Sequence, residues 1–171
     1  MIDLASHIRD VPDFPQPGIL FKDITTLLKD GPAFKQTLDE MTSRVRDWGV
    51  EVVVGMESRG FIFAAPIAYN LGVGFVPVRK LGKLPAETIE AEYALEYGTN
   101  TLELHVDAIG EGQRVLVVDD LLATGGTVGA TIDLVERLGG EVIGVTFLAE
   151  LTFLDGRSRL EGYRIDSLLT F

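Results

Sequence analysis

Residues 114–127 read Arg-Val-Leu-Val-Val-Asp-Asp-Leu-Leu-Ala-Thr-Gly-Gly-Thr, and no other stretch constrains the fold as tightly. Val115 to Val118 form a continuous apolar run, the pattern of a strand buried on both faces of a parallel sheet. Beyond the run, Val128, Ile132, Val135 and Leu138 recur at helical spacing, and Gly139-Gly140 supplies a stop. The order is therefore strand, paired carboxylates, glycine turn, helix. Open α/β sheets bind ligands at that junction, where strands end and helices begin. Gly125 and Gly126 let the backbone turn tightly and approach a ligand closely. Ala123 takes up little space there, and Thr124 and Thr127 add hydroxyls. The helix start contributes unpaired N–H groups and a positive dipole end, which together suit a phosphate.

Asp119 and Asp120 are unsuited to a phosphate, because like charges repel. They suit vicinal sugar hydroxyls, or a magnesium ion held directly or through water. The plainer alternative is that both solvate a strand end or cap the turn. The apolar run before them and Ala-Thr-Gly-Gly-Thr after them favour the ligand.

The remaining pattern continues the same architecture. Val52–Met56, Phe75–Val78 and Val142–Ala149 are further strand candidates, and Phe61–Leu71 reads as a helix ending at Gly72. Phe34, Leu38, Met41, Val45 and Trp48 fall on one face of another helix. Strands alternating with helices predict an α/β fold, a mostly parallel doubly wound sheet flanked by helices. Residues 1–32 carry Pro12, Pro15, Pro17 and Pro32 and read as an irregular flap. From about 84 to 107 the chain becomes polar. There Ala94–Gly98 and Leu102–Val106 suggest two short arms around a Gly98-Thr99-Asn100 turn, an insertion of the kind that forms mobile lids.

At 171 residues the chain reads as one domain, able to bury roughly 70% of its unfolded surface. The net charge of −11 argues against a nucleic-acid partner, which would require a basic face. Within that acidic background, Arg79, Lys80 and Lys83 cluster, and Arg59 follows a strand. A small polyanion held in a pocket fits this arrangement, although Lys80 and Lys83 alone also read as solvated surface charge. Cysteine is absent, which fits a reducing, cytoplasmic setting. No signal peptide and no membrane span are expected. His7 and His105 lack metal-ligand spacing and read as surface or strand residues. No Gly-x-x-x-x-Gly-Lys-Ser/Thr and no Gly-x-Gly-x-x-Gly accompanies the glycine turn.

Val115 to Thr127 resembles the phosphoribosyl-pyrophosphate (PRPP) motif of the type I phosphoribosyltransferases, with every defined position filled. The resemblance implies that Asp119 and Asp120 meet the ribose hydroxyls, and that Ala123, Thr124, Gly125, Gly126 and Thr127 wrap the 5′-phosphate. Glu57-Ser58-Arg59-Gly60 is similar to the family's pyrophosphate loop and implies a cis peptide near Glu57–Ser58. Arg59 is suited to bidentate phosphate pairing. Three further segments resemble the adenine phosphoribosyltransferases within that family. Pro77–Pro85 implies that Arg79 and Lys83 contact pyrophosphate. Tyr93–Gly98 resembles a catalytic lid, with Glu96 as acid/base near the purine and Tyr97 closing the site. Asp13–Asp23 resembles a base-binding hood, in which the Leu20 main chain reads the purine edge, Phe21 stacks on it and Lys22 adds a contact. The resemblance thus divides the domain into a hood over 1–32 and a core over 33–171, with the lid at about 84–107. It implies a homodimer that makes AMP and pyrophosphate from adenine and PRPP, with Mg²⁺ reached through water or PRPP rather than caged by Asp119 and Asp120. Two rivals stay open: a 6-oxopurine enzyme reading its substrate through Lys22, and a non-catalytic PRPP sensor.

Overall fold

The computed structural model describes residues 1–94 and 98–171. Its centre is built from the most apolar runs. Val52–Met56 (β3) is buried at every position, and Arg114–Leu122 (β7) is buried from Val115 to Val118. The two lie side by side in parallel, with Val52 opposite Val115. Such strands exist only where helices cover both faces of the sheet. Here Arg59–Leu71 (α3) packs on β3, β7 and Gly74–Lys80 (β4), while Gly126–Arg137 (α4) packs on β7 and Glu141–Glu150 (β8). Val54, Val117, Leu134, Val135 and Phe147 sit together in the core beneath α4.

Among the described residues the sheet has seven strands, in the order Thr88–Ala94 (β5), Thr99–His105 (β6), β4, β3, β7, β8 and Ile165–Thr170 (β9). Its central and C-terminal strands are parallel, and the sheet ends on Ile165–Thr170 (β9). The fold is the expected α/β type, a mostly parallel sheet flanked by helices. β9 was not legible, since its residues are only half-buried and Asp166 and Ser167 interrupt the apolar pattern.

The insertion differs from its expected form. Thr88–Ala94 (β5) and Thr99–His105 (β6) make one antiparallel hairpin, with Ala94 opposite Thr99. The first arm thus begins at Thr88 rather than Ala94, and Thr99 and Asn100 belong to a strand, not to the turn. β6 also pairs with β4, and Ala91, Leu102 and Leu104 enter the core. The polar residues that suggested a free arm alternate with these apolar ones, as a sheet edge requires.

The chain forms two compact units, Met1–Glu40 and Met41–Phe171. The first is more regular than a flap. Arg9–Pro12 (β1) and Leu20–Asp23 (β2) form an antiparallel ribbon, followed by the short helix Thr25–Leu28 (α1), and Gly31–Val45 (α2) begins within this unit. The prolines permit this because Pro12 ends a strand that has only one partner, while Pro15 and Pro17 sit in the connection. Along α2 the fully buried positions are Ala33, Thr37, Met41 and Val45, and Phe34 and Leu38 are only half-buried. Thr37 satisfies its hydroxyl on the Ala33 carbonyl at 2.9 Å, so a polar residue occupies a face expected to be apolar. Trp48 lies beyond α2 in a 3-10 turn, with the Arg164 guanidinium stacked 4.0 Å from its ring centre.

Candidate active site

β7 ends at Leu122, and α4 starts four residues later. Gly125 links them in the left-handed conformation, φ 82°. A side chain there would be strained and would also meet the Gly156 carbonyl oxygen, 2.8 Å from an ideal Cβ. The first helical hydrogen bond is from the Gly129 N–H to the Gly125 carbonyl, 2.9 Å. Gly126, Thr127 and Val128 of the first turn, whose N–H groups have no partner within a helix, line a small hollow of about 70 Å³ together with Asp119 and residues 121–125. An anion is the natural occupant of such a helix start.

The paired carboxylates differ from one another. Asp120 is buried and its Oδ2 accepts Arg59 Nε at 2.7 Å. Asp119 is half-buried, and its Oδ1 accepts the Asp120 N–H at 2.9 Å. Burial, with the Asp120 charge added, pushes the Asp119 carboxyl well above the usual carboxylate range. Gly60 at the start of α3 makes room for this pair, since a Cβ there would stand 2.8 Å from Asp119 Oδ1.

The tip of β3 faces the same space. The Glu57–Ser58 peptide is cis, as the motif implied, and Phe14–Pro15 is cis as well. Glu57 is largely buried, and its carboxylate accepts Arg79 Nε at 2.8 Å and the Lys80 N–H at 3.0 Å. Burial works to raise its pKa, but those two donors outweigh burial and hold it below the ordinary value.

A cleft of about 400 Å³ joins these parts. Glu57, Ser58, Arg59, Asp119, Asp120, Ala123 and Thr127 line it together, while Thr124, Gly125 and Gly126 line the adjoining hollow. Arg79 and Lys83 do not line the cleft. Lys80 and Tyr93 do; the sequence singled out Lys80 only within the basic cluster suited to a polyanion, and Tyr93 only as the first residue of the lid segment. The signal for Tyr93 was its two-residue spacing from buried Ala91 on β5, which becomes readable only once that strand is recognised. Glu96 and Tyr97 lie outside the described residues.

In the first unit, Val11, Phe14, Phe21 and Asp23 enclose an apolar hollow of about 290 Å³. The Phe14 and Phe21 rings meet edge to face, 5.1 Å apart. Leu20 is exposed beside them. Lys22 Nζ bonds Asp10 Oδ1 at 2.6 Å, across the ribbon, where Asp10 and Lys22 are register partners. Asp23 pairs with Arg9, which foremost lowers its pKa to about 2, with help from the Thr25 N–H.

A family model described as the phosphoribosyl transferase domain matches residues 25–163. The chain belongs to the phosphoribosyltransferase family. An adenine phosphoribosyltransferase of Solibacter usitatus is 60% identical over all of this chain and 99% of its own length. A crystal structure of adenine phosphoribosyltransferase from Thermoanaerobacter pseudethanolicus is 57% identical, covers 99% of this chain and 98% of its own, and superposes with a TM-score of 0.97. The yeast enzyme, Saccharomyces cerevisiae adenine phosphoribosyltransferase in complex with an imino-altritol bisphosphate and adenine, is 39% identical with a TM-score of 0.91, covering 97% of this chain and 96% of its own.

For a phosphoribosyltransferase, the acidic pair also bears on metal binding. Among the described residues no three His, Cys, Asp or Glu side chains gather as a metal cage. Two carboxylates are present, one already joined to Arg59. That donor set fits a hard cation held mostly by ligand oxygens and water, as magnesium commonly is in phosphate chemistry. Among the described residues no helix is long and apolar enough to cross a membrane.

Proposed function

We propose that this phosphoribosyltransferase transfers the 5-phosphoribosyl group of PRPP to adenine, giving AMP and pyrophosphate, as the names of its full-length relatives indicate. The observation that carries the reading is the end of β7, where the carboxylates of Asp119 and Asp120 adjoin the open mouth of α4. A sugar phosphate presents both a diol and a phosphate, the two groups that these neighbouring features suit. In this reading the N–H groups after Gly125 bind the 5′-phosphate, and Asp119 and Asp120 orient the ribose hydroxyls. Arg59 and Ser58, which line the cleft, receive the pyrophosphate, and Arg79 and Lys83, outside that lining, are assigned to it by the resemblance.

Cleavage of the C1–O bond leaves positive charge on the ribose. The acidic pair, fixed in place beforehand, offsets that charge where it develops and costs little reorganisation. Adenine attacks through N9. Phe21 supplies an apolar face for the flat base and the Leu20 main chain its edge contacts. Glu96, by resemblance the acid/base of the lid, moves the purine proton, and Tyr97 helps exclude water. Both belong to the insertion at about 84–107 that the resemblance reads as the lid. Asp119 and Asp120 would hold a magnesium ion indirectly, through water or PRPP, and the ion would supply charge neutralisation for the leaving group. A homodimer in the cytoplasm belongs to the same proposal.

The ion pair between Lys22 and Asp10 speaks against Lys22 as a reader of a 6-oxo group, so adenine is favoured over hypoxanthine. The test supplies PRPP and Mg²⁺ with either base and follows nucleotide formation. AMP without IMP is expected. IMP in preference to AMP would reassign the substrate, and no nucleotide from any purine would point to a PRPP sensor.

A further inference from the structure

Glu103 is an unusual residue for its place in the sheet. It lies on β6 between Leu102 and Leu104, which are both buried in the core, and strand alternation turns it to the opposite face. It is nevertheless only 3% exposed. Among the described residues it forms no ion pair with Lys or Arg. Its Oε1 instead accepts the Lys83 N–H at 2.8 Å and the Leu84 N–H at 2.6 Å.

These bonds tie down the turn that follows β4. Gly82 takes the left-handed conformation, φ 81°, and the Leu81 N–H reaches back to the Thr101 carbonyl. The Arg79 guanidinium, itself held by Glu57, donates to the Lys83 carbonyl at 3.3 Å. Lys83 is thus fixed at both its N–H and its carbonyl while its side chain stays exposed. His105, two residues along β6 on the same face, accepts the Ala86 N–H at 3.3 Å and extends the hold.

A buried carboxylate is expensive unless donors surround it. An apolar residue would fill this site on the sheet at lower cost, so packing does not account for a charge here. The shape of the turn does, because a carboxylate gathers converging N–H groups more strongly than any neutral side chain. We propose that Glu103 is a positioning residue for pyrophosphate recognition: by gripping the N–H groups of Lys83 and Leu84 it fixes the turn that presents the Lys83 ammonium. This rests on the preceding reading, in which Lys83 meets pyrophosphate.

The test compares the parent enzyme with E103Q, K83A and the double variant, in steady-state assays with adenine, PRPP and Mg²⁺. For E103Q the KM for PRPP should rise about tenfold, the scale of one lost charge-assisted hydrogen bond, while the KM for adenine stays within about twofold. If Glu103 acts through Lys83, E103Q adds little in the K83A background, as coupled sites are non-additive. An unchanged KM for PRPP, an equal rise in both KM values, or full additivity would overturn the proposal. Should E103Q fail to fold, amide hydrogen exchange on the parent protein decides. Lys83 and Leu84 should exchange at least about 100-fold slower than an open chain, and open-chain rates would refute the grip. Calorimetry of PRPP with Mg²⁺ on the parent keeps the two readings apart, since absent heat would sink the function while exchange still judges the turn.

Discussion

The loop after β7 and the loop after β4 end strands of one parallel sheet, and both meet phosphate groups in the proposed reaction. They are fixed by different means. The β7 loop sets its own shape through Gly125 in the left-handed conformation and a helix that begins at once. The β4 loop takes its shape from carboxylates on other strands, Glu57 at the tip of β3 and Glu103 on β6. The first is written in consecutive residues, and the second is assembled by the fold. A self-shaped loop should fail through its backbone, and a borrowed one through a distant side chain.

Four experiments press on that contrast. The largest effect is expected for Gly125→Ala, which adds backbone strain and a contact with the Gly156 carbonyl. PRPP affinity should fall by about 100-fold or more, at a cost of about 1–3 kcal/mol for the conformation alone, and calorimetry with Mg²⁺ reads it. Near-parent affinity would mean that the loop does not depend on that glycine.

Next is Asp119→Asn, with a loss of turnover on the order of 100-fold. Because burial and the Asp120 charge raise the Asp119 pKa, its ionised form should prevail only above that raised value. PRPP binding by the parent should therefore weaken as pH falls, on a limb lying above the ordinary carboxyl value of about 4, and Asp119→Asn should lack that limb. An identical pH profile in both proteins would remove Asp119 from ribose binding.

Glu57→Gln tests the borrowed loop. It weakens the hold on Arg79 and the Lys80 N–H, and the KM for PRPP should rise about tenfold with little change for adenine. A loss as large as that of Gly125→Ala would erase the distinction between the loops.

The smallest effect on activity is expected for Arg157→Ala, because it lies beyond the phosphate loop, next to Gly156. Arg157 pairs with buried Glu150 through two bonds of 2.7 Å. Its loss should lower stability by about 1–2 kcal/mol, allowing for the partial exposure of Arg157, with turnover within about threefold. The Glu150 pKa is lowered, chiefly by Arg157. The stability it adds is therefore full above the unfolded value of about 4 and is lost as pH falls through the lower folded value. Thermal melts of parent and variant should converge toward acid, and a gap that widens there would contradict the assignment.

What could be read from the chain follows the same line. β3, β7, β8 and both helices beside the site announce themselves through apolar runs and helical spacing, because burial on two faces leaves no choice of residue. The phosphate loop is legible because its parts are adjacent. The β5–β6 hairpin was misread in extent because its core residues, Ala91, Leu102 and Leu104, alternate with charge. The first unit was read as irregular because prolines mask a two-stranded ribbon. Lys80 and Tyr93 reach the cleft only through pairings between strands distant in sequence, and the same holds for Glu103 and the turn it grips. No spacing rule along a single segment reveals such meetings.

The 2.8 Å approach of a Cβ at Gly125 to Gly156 means that the phosphate loop has a floor, supplied about thirty residues downstream. Residues 115–127 are thus not a portable cassette. Transplanted alone into another parallel sheet, they would carry the right letters without the surface that holds their curve, so a working graft has to bring the 150–160 segment with it.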